Sequence, residues 1–130
     1  MKDINSDKLA SLVARILDDK QGKDIAILNI SKVSMLADYF VICSADTSTQ
    51  VRALTSYVKE KVKQFIERHP TGQEHDLKNR WNLLDYGDVV VHIMQKDERE
   101  TYAIEKFWNH SFKVPQEKWM EDSKEYAEYA

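Results

Sequence analysis

Apolar residues recur along this chain with two periods, and the alternation of those periods predicts its elements. Leu9, Leu12, Val13, Ile16 and Leu17 return every three or four residues, the spacing of one helical face. Asn5 or Ser6 can cap that helix, and Gly22 is placed to end it. Residues 24 to 30 predict a strand, and residues 39 to 43 a second one whose unbroken apolarity implies burial on both faces. Thr47-Ser48-Thr49-Gln50 matches the capping box, so a long helix begins there with Val51, Leu54, Val58, Val62 and Phe65 as its buried stripe. Pro70 and Gly72 stop it.

Residues 72 to 80 are polar and read as a loop with one short edge strand near Glu74 to Asp76. Residues 81 to 84 and 89 to 94 are rich in Val, Ile, Leu and Trp, and Asp85-Tyr86-Gly87-Asp88 between them reads as the turn of a hairpin. Gly87 supplies the positive φ that a short hairpin loop commonly needs. By period two, Val89, Val91 and Ile93 share one face while Val90, His92 and Met94 share the other. A charged run after Met94 leads into Tyr102, Phe107 and Trp108, a short helical turn folding its aromatic groups back onto the body. Residues 111 to 130 read as a C-terminal appendage, interrupted at Pro115, with a short acidic helix from Glu117 to Tyr129 that carries Trp119 and Met120 and is either docked on the body or partly disordered. The order predicts a single-domain α/β sandwich over residues 1 to 110, built on a mixed sheet of about five strands. The long helix crosses over that sheet.

Composition narrows the class. A chain of 130 residues, 42% hydrophobic and 32% charged, fits one domain that buries a core without disulfides. No apolar run reaches the roughly 20 residues that span a bilayer, and the first residues lack a signal-peptide pattern, so the expectation is a soluble cytoplasmic protein with no membrane partner. Cys43 stands alone within an apolar strand and reads as a small buried hydrophobe. A net charge of −3 argues against a protein that grips nucleic acid mainly through phosphates. The best basic set is Arg52, Lys59, Lys61, Lys63 and Arg68, which reads first as the solvated side of the long helix.

No catalytic set, metal site or cofactor is expected. His69, His75, His92 and His110 share no ligand spacing, and a chain with three glycines cannot easily wrap a pyrophosphate. One enzyme alternative uses the strand-to-helix segment Ser44 to Ser48: a metal-dependent nucleotidyltransferase built from Ser44, Asp46, Asp85 and Asp88. Another alternative is an RNA-binding ribosome-assembly adaptor that uses Arg52, Lys59, Lys63 and Arg68. Against both stands a contact surface for a basic protein. Trp81, Leu83, Tyr86, His92, Met94 and Tyr102 would form an apolar and aromatic patch, with Asp85 and Asp88 as its acidic rim. His92 reads either as part of that surface or as a satisfied, half-buried side chain. The pattern leaves open which hairpin face is exposed.

Four blocks carry a family resemblance: Asp38 to Ser44, Thr47 to Val51, Trp81 to Met94, and Arg99 with Tyr102, Glu105 and Trp108. Over about residues 5 to 110 the chain resembles the ribosomal silencing factor family, RsfS, also called Iojap. The third block is the most specific and is similar to the family pattern W-x-x-x-D-x-G-D-h-h-V-H-h, where h is apolar. The chain departs from the family at Ala45-Asp46-Thr47, where Gly-Thr-Ser is frequent, and at Thr49, where Arg is common, which weakens the case for an anion-binding loop. The resemblance implies a nucleotidyltransferase-like topology without the catalytic set. It also implies a non-enzymatic factor that binds the large ribosomal subunit through ribosomal protein L-fourteen, blocks joining of the small subunit and represses translation under nutrient limitation. An acidic module is repelled by RNA phosphates and steered to a basic protein patch, so little direct nucleic-acid binding is expected. A homodimer is expected off the ribosome, since an apolar sheet face without its partner self-associates.

Overall fold

The computed structural model describes residues 4–108 and 111–129; His110 lies outside them. Helix α1 (Ser6–Asp19) leads into β1 (Lys23–Asn29) and β2 (Tyr39–Ala45), then α2 (Ser48–Ile66). Strands β3 (Gly72–His75), β4 (Trp81–Asp85) and β5 (Val89–Gln95) follow, then α3 (Lys96–Tyr102) and α4 (Ile104–Phe107). Strand β6 (Phe112–Val114), α5 (Gln116–Asp122) and a 3-10 turn at Lys124–Tyr129 end the chain. The sheet has six strands in the order β3-β4-β5-β2-β1-β6, one more than about five. Only β2 and β5 run parallel, and α2 supplies the crossover between them.

Local signals explain most of these elements. Asn5 is the N-cap of α1, although its side chain makes no cap bond. Thr47 Oγ1 accepts from the Gln50 N–H at 3.1 Å, and Gln50 Oε1 accepts from the Asp46 N–H at 2.9 Å, one residue earlier than the reciprocal bond of a capping box. Gly22 takes part in ending α1, as its position predicts, and is also a glycine for a second reason. Gln21 takes the left-handed conformation (φ 64°), and the Gly22 and Gln21 N–H groups donate to Leu17 and Asp18, which closes a Schellman motif. At Gly22 a Cβ would meet Cys43 Sγ at 2.5 Å and Leu17 O at 3.0 Å, so the glycine is there for close approach of the turn to β2.

Helices α1, α2 and α5 cover one sheet face, where Ile27, Val41, Cys43, Val89, Val91 and Ile93 point. Burial pushes the Cys43 thiol up to about 12. The other face carries Leu28, Phe40, Ile42, Val90 and Met94, and the β1–β2 loop with α3 and α4 covers it only in part. The period-two split of β5 therefore holds, yet both of its faces are buried.

Residues 111 to 129 are no appendage. Strand β6 pairs with β1, with Val114 opposite Ile27, and Val114, Trp119 and Tyr126 belong to the main core. Arg15, itself buried in α1, donates through Nε to Ser123 Oγ at 2.8 Å and through Nη2 to the Met120 carbonyl at 2.7 Å. The guanidinium thus satisfies a carbonyl near the end of α5 that the short helix leaves free.

Candidate functional site

The expected patch divides in two. Tyr86, His92 and Met94 are buried in the isolated chain, which corrects their assignment as surface side chains, although His92 still lines the floor of a cleft. Met94 and His92 lie on the sheet's central strand β5, where β2 and β4 flank them on either side. Tyr86 turns into the main core, where burial pushes its hydroxyl up to about 12. Trp81, Leu83 and Asp85 are half-buried on β4, and Tyr102 is exposed at the end of α3.

Six rings nevertheless form one continuous chain across the second sheet face. Tyr102 lies 4.9 Å from Trp81, Trp81 5.9 Å from His92, His92 4.7 Å from Phe40, Phe40 5.4 Å from Trp108 and Trp108 5.5 Å from Phe107. Its two ends, Tyr102 and Phe107, reach solvent. Several contacts are edge-to-face or tilted, the arrangement ring quadrupoles favour. Trp81 Nε1–H donates to His92 Nδ1 at 3.2 Å, so a surface indole and a buried imidazole are joined.

Arg99 fastens the helical end of this ridge to the sheet. Its Nε and Nη2 donate to the two Glu105 carboxylate oxygens at 3.0 and 2.8 Å, while Nη1 donates to Ser44 Oγ at 2.8 Å and to the Asp24 carbonyl at 2.5 Å. The hydrogen-bonded guanidinium holds the Glu105 carboxyl below the usual range, against the opposing pull of partial burial. The resemblance block Arg99, Tyr102, Glu105 and Trp108 is thereby explained as one clasp, with Tyr102 and Trp108 riding on it.

Asp85 and Asp88 have separate roles. Asp85 Oδ1 accepts from the Gly87 N–H at 2.7 Å, a local turn bond beside the positive φ of Gly87 (91°). Asp88 is paired with Arg68 at 2.7 Å, and the same guanidinium nitrogen reaches the Tyr86 carbonyl at 2.6 Å. Arg68 ties the end of α2 to the hairpin turn, which removes it from the basic set and Asp88 from the rim. Lys59 meets Gln73 at 2.8 Å, while Arg52 and Lys63 remain exposed on α2, across the sheet from the aromatic ridge.

The nucleotidyltransferase set is not brought together. The Asp88 carbonyl accepts from the Asp38 N–H at the start of β2, whereas Ser44 lies near the other end of that strand, roughly 20 Å away at about 3.3 Å per residue. Asp46 is paired with Lys23 at 2.6 Å. No group of three or more His, Cys, Asp or Glu among the described residues could hold a metal ion. No helix of the described residues is long and apolar enough to cross a membrane.

Sequence reasoning missed several exposed apolar residues in the loops, of which Leu36 borders the ridge at Phe40 and His92. Val33, Met35 and Leu36 project from the β1–β2 loop and Leu77 from the β3–β4 loop. Asp76 holds that second loop by accepting from the Arg80 N–H at 2.5 Å and from Arg80 Nε at 2.9 Å. The available signal was three apolar side chains in a segment too short and irregular to be a strand.

His92 gives the site a pH signature. Burial pushes its pKa from 6.5 down to about 4, so between those values the unfolded chain binds a proton that the folded chain refuses. Stability contributed by neutral His92 is therefore full above pH 6.5 and lost as pH falls toward 4, a decline on the order of 3 kcal/mol. Glu105 adds loss in the same direction at lower pH. Urea titrations across this window are expected to show a shallower pH slope for His92→Leu than for the parent; equal slopes refute the assignment.

Comparison with known proteins places these features in a group. A family model described as "Ribosomal silencing factor during starvation" matches residues 3–130. The chain is 36% identical over 105 residues to ribosomal silencing factor RsfS of Bacillus subtilis, covering 81% of this chain and 88% of that one. It is 27% identical over 99 residues to the mouse protein named mitochondrial assembly of ribosomal large subunit protein 1, covering 75% of this chain and 43% of the mouse protein. A crystal structure of a Chromobacterium violaceum protein superposes with a TM-score of 0.77 at 34% identity, covering 82% of this chain and 88% of that one.

Proposed function

Because the chain belongs to the ribosomal silencing factor family, whose members are regulatory factors rather than enzymes, we propose that it binds the large ribosomal subunit through ribosomal protein L-fourteen. Its bulk then blocks joining of the small subunit and represses translation in the cytoplasm when nutrients are short. The observation that carries this reading is the half-covered second sheet face, where Trp81 and Leu83 are partly exposed, the exposed Tyr102 packs on Trp81, and the exposed Leu36 shares a cleft with Leu83. Large rings and aliphatic groups of this kind form the centres of protein interfaces. The carboxylates of Glu74 and Asp85 beside them, with a net charge of −3, suit a basic protein rather than RNA phosphate. The mouse relative, whose name refers to assembly of the large subunit, supports the same partner. Off the ribosome the same apolar face closes a homodimer, so the dimer and the large subunit compete for it.

The test uses purified subunits. Saturating protein should co-sediment with large subunits and, when small subunits are added, reduce the joined-ribosome peak in proportion to occupancy. Undiminished joining on fully occupied large subunits would overturn the steric reading.

A further inference from the structure

On the second sheet face a cleft of about 340 Å³ is lined by Leu36, Phe40, Glu74, Leu83, Asp85 and His92. His92 Nδ1 is occupied as an acceptor for the Trp81 indole N–H, so the neutral imidazole carries its proton on Nε2. That ring orientation is the one that gives the indole an acceptor. Nε2, on the side of the ring away from Trp81, is buried and meets no acceptor among the described residues. A buried donor left unmet costs free energy and persists where a partner fulfils it. The imidazole stays neutral because burial holds its pKa low, so Nε2 remains a directional hydrogen-bond donor rather than a charge.

We propose that this cleft is the socket for one apolar side chain of a protein partner, whose neighbouring main-chain carbonyl accepts a hydrogen bond from His92 Nε2–H. The proposal rests on the large-subunit reading above and names the chemistry of its contact. Leu36, Phe40 and Leu83 make apolar walls, and Glu74 and Asp85 place negative charge on the lining. The occupant is therefore an apolar residue flanked by Lys or Arg, and a nucleobase, which would bring its phosphate beside two carboxylates, fits less well. One wall is the loop that carries Leu36 rather than a strand.

The test titrates large subunits with the parent chain, Trp81→Ala, His92→Leu and His92→Gln, and measures the thermal midpoint of each chain alone. His92→Leu should bind about 10-fold more weakly while its unfolding temperature changes little, because it removes the contact and the unmet donor at Nε2 but also the acceptor of the Trp81 indole N–H. His92→Gln, whose amide extends toward the Nε2 position, should recover most of the affinity. A purely structural histidine would lose stability and binding together. If Trp81→Ala is weakened but folded His92→Leu binds within twofold of the parent, the socket is refuted and the wider reading stands. If Trp81→Ala also binds like the parent, both fall. Should His92→Leu not fold, His92→Phe removes the same donor while keeping a ring against Phe40. Undiminished binding to protein-free large-subunit RNA would assign the cleft to a nucleobase and overturn the proposal.

Discussion

Deleting residues 111–130 is expected to abolish cooperative folding, and Trp119→Ala alone to lower stability by about 3–5 kcal/mol. Trp119 is 2% exposed in the main core, beside Val114 and Tyr126, and the Tyr126 ring lies 5.2 Å from Phe65 of α2. Truncation would strip these side chains from the α1–α2 layer and unpair β1 along the sheet edge. It would also leave the buried Arg15 guanidinium without its Ser123 and Met120 acceptors, and a buried charge that loses its partners is among the costlier defects. Domains of this size are stable by about 5–15 kcal/mol in total, so the summed loss is comparable with the whole. Urea unfolding followed by far-UV circular dichroism reads the effect, with the exposed Lys124→Ala as a control expected within about 0.5 kcal/mol of the parent. A truncated chain that still unfolds in one sharp transition within 1 kcal/mol of the parent would show that the segment only decorates the domain.

Trp81→Ala is expected to weaken binding to large subunits by about 2–4 kcal/mol, roughly 30- to 1000-fold. Trp81 joins the exposed Tyr102 to buried His92, so truncating it removes a contact group and the support under its neighbours. Part of any loss could reflect stability, because Trp81 is half-buried. Tyr102→Ala separates the two effects: its ring is more than half exposed, so binding should fall while the unfolding midpoint barely moves. Arg52→Ala and Lys63→Ala, across the sheet on α2, should bind within twofold of the parent. Light scattering of free Trp81→Ala should also shift toward the monomer mass if one face serves dimer and ribosome alike. Wild-type co-sedimentation by folded Trp81→Ala and Tyr102→Ala together would refute the assigned surface.

The residue pattern alone determined the elements whose signals are local. Thr47 and Gln50 mark the start of α2, Gly87 marks the hairpin turn, and period two sorts β5 into two sets of side chains. These depend on backbone geometry within a few residues, which a single stretch of sequence encodes.

What each side chain faces was decided only by the tertiary structure. His92 and Met94 are buried because β2, roughly fifty residues earlier in the chain, pairs along one side of β5 while the hairpin partner β4 flanks the other. Asp88 is a structural partner because Arg68 arrives from the end of α2, and Trp119 is core because Arg15 and β1 receive the last twenty residues. Burial and pairing are properties of segments brought together from afar, so periodicity could say that β5 had two apolar faces but not that both would be covered. It likewise could not show that, of the expected patch, Trp81, Leu83, Asp85 and Tyr102 would keep exposed surface, or that loop residues such as Leu36, which belong to no repeating pattern, would be exposed as well.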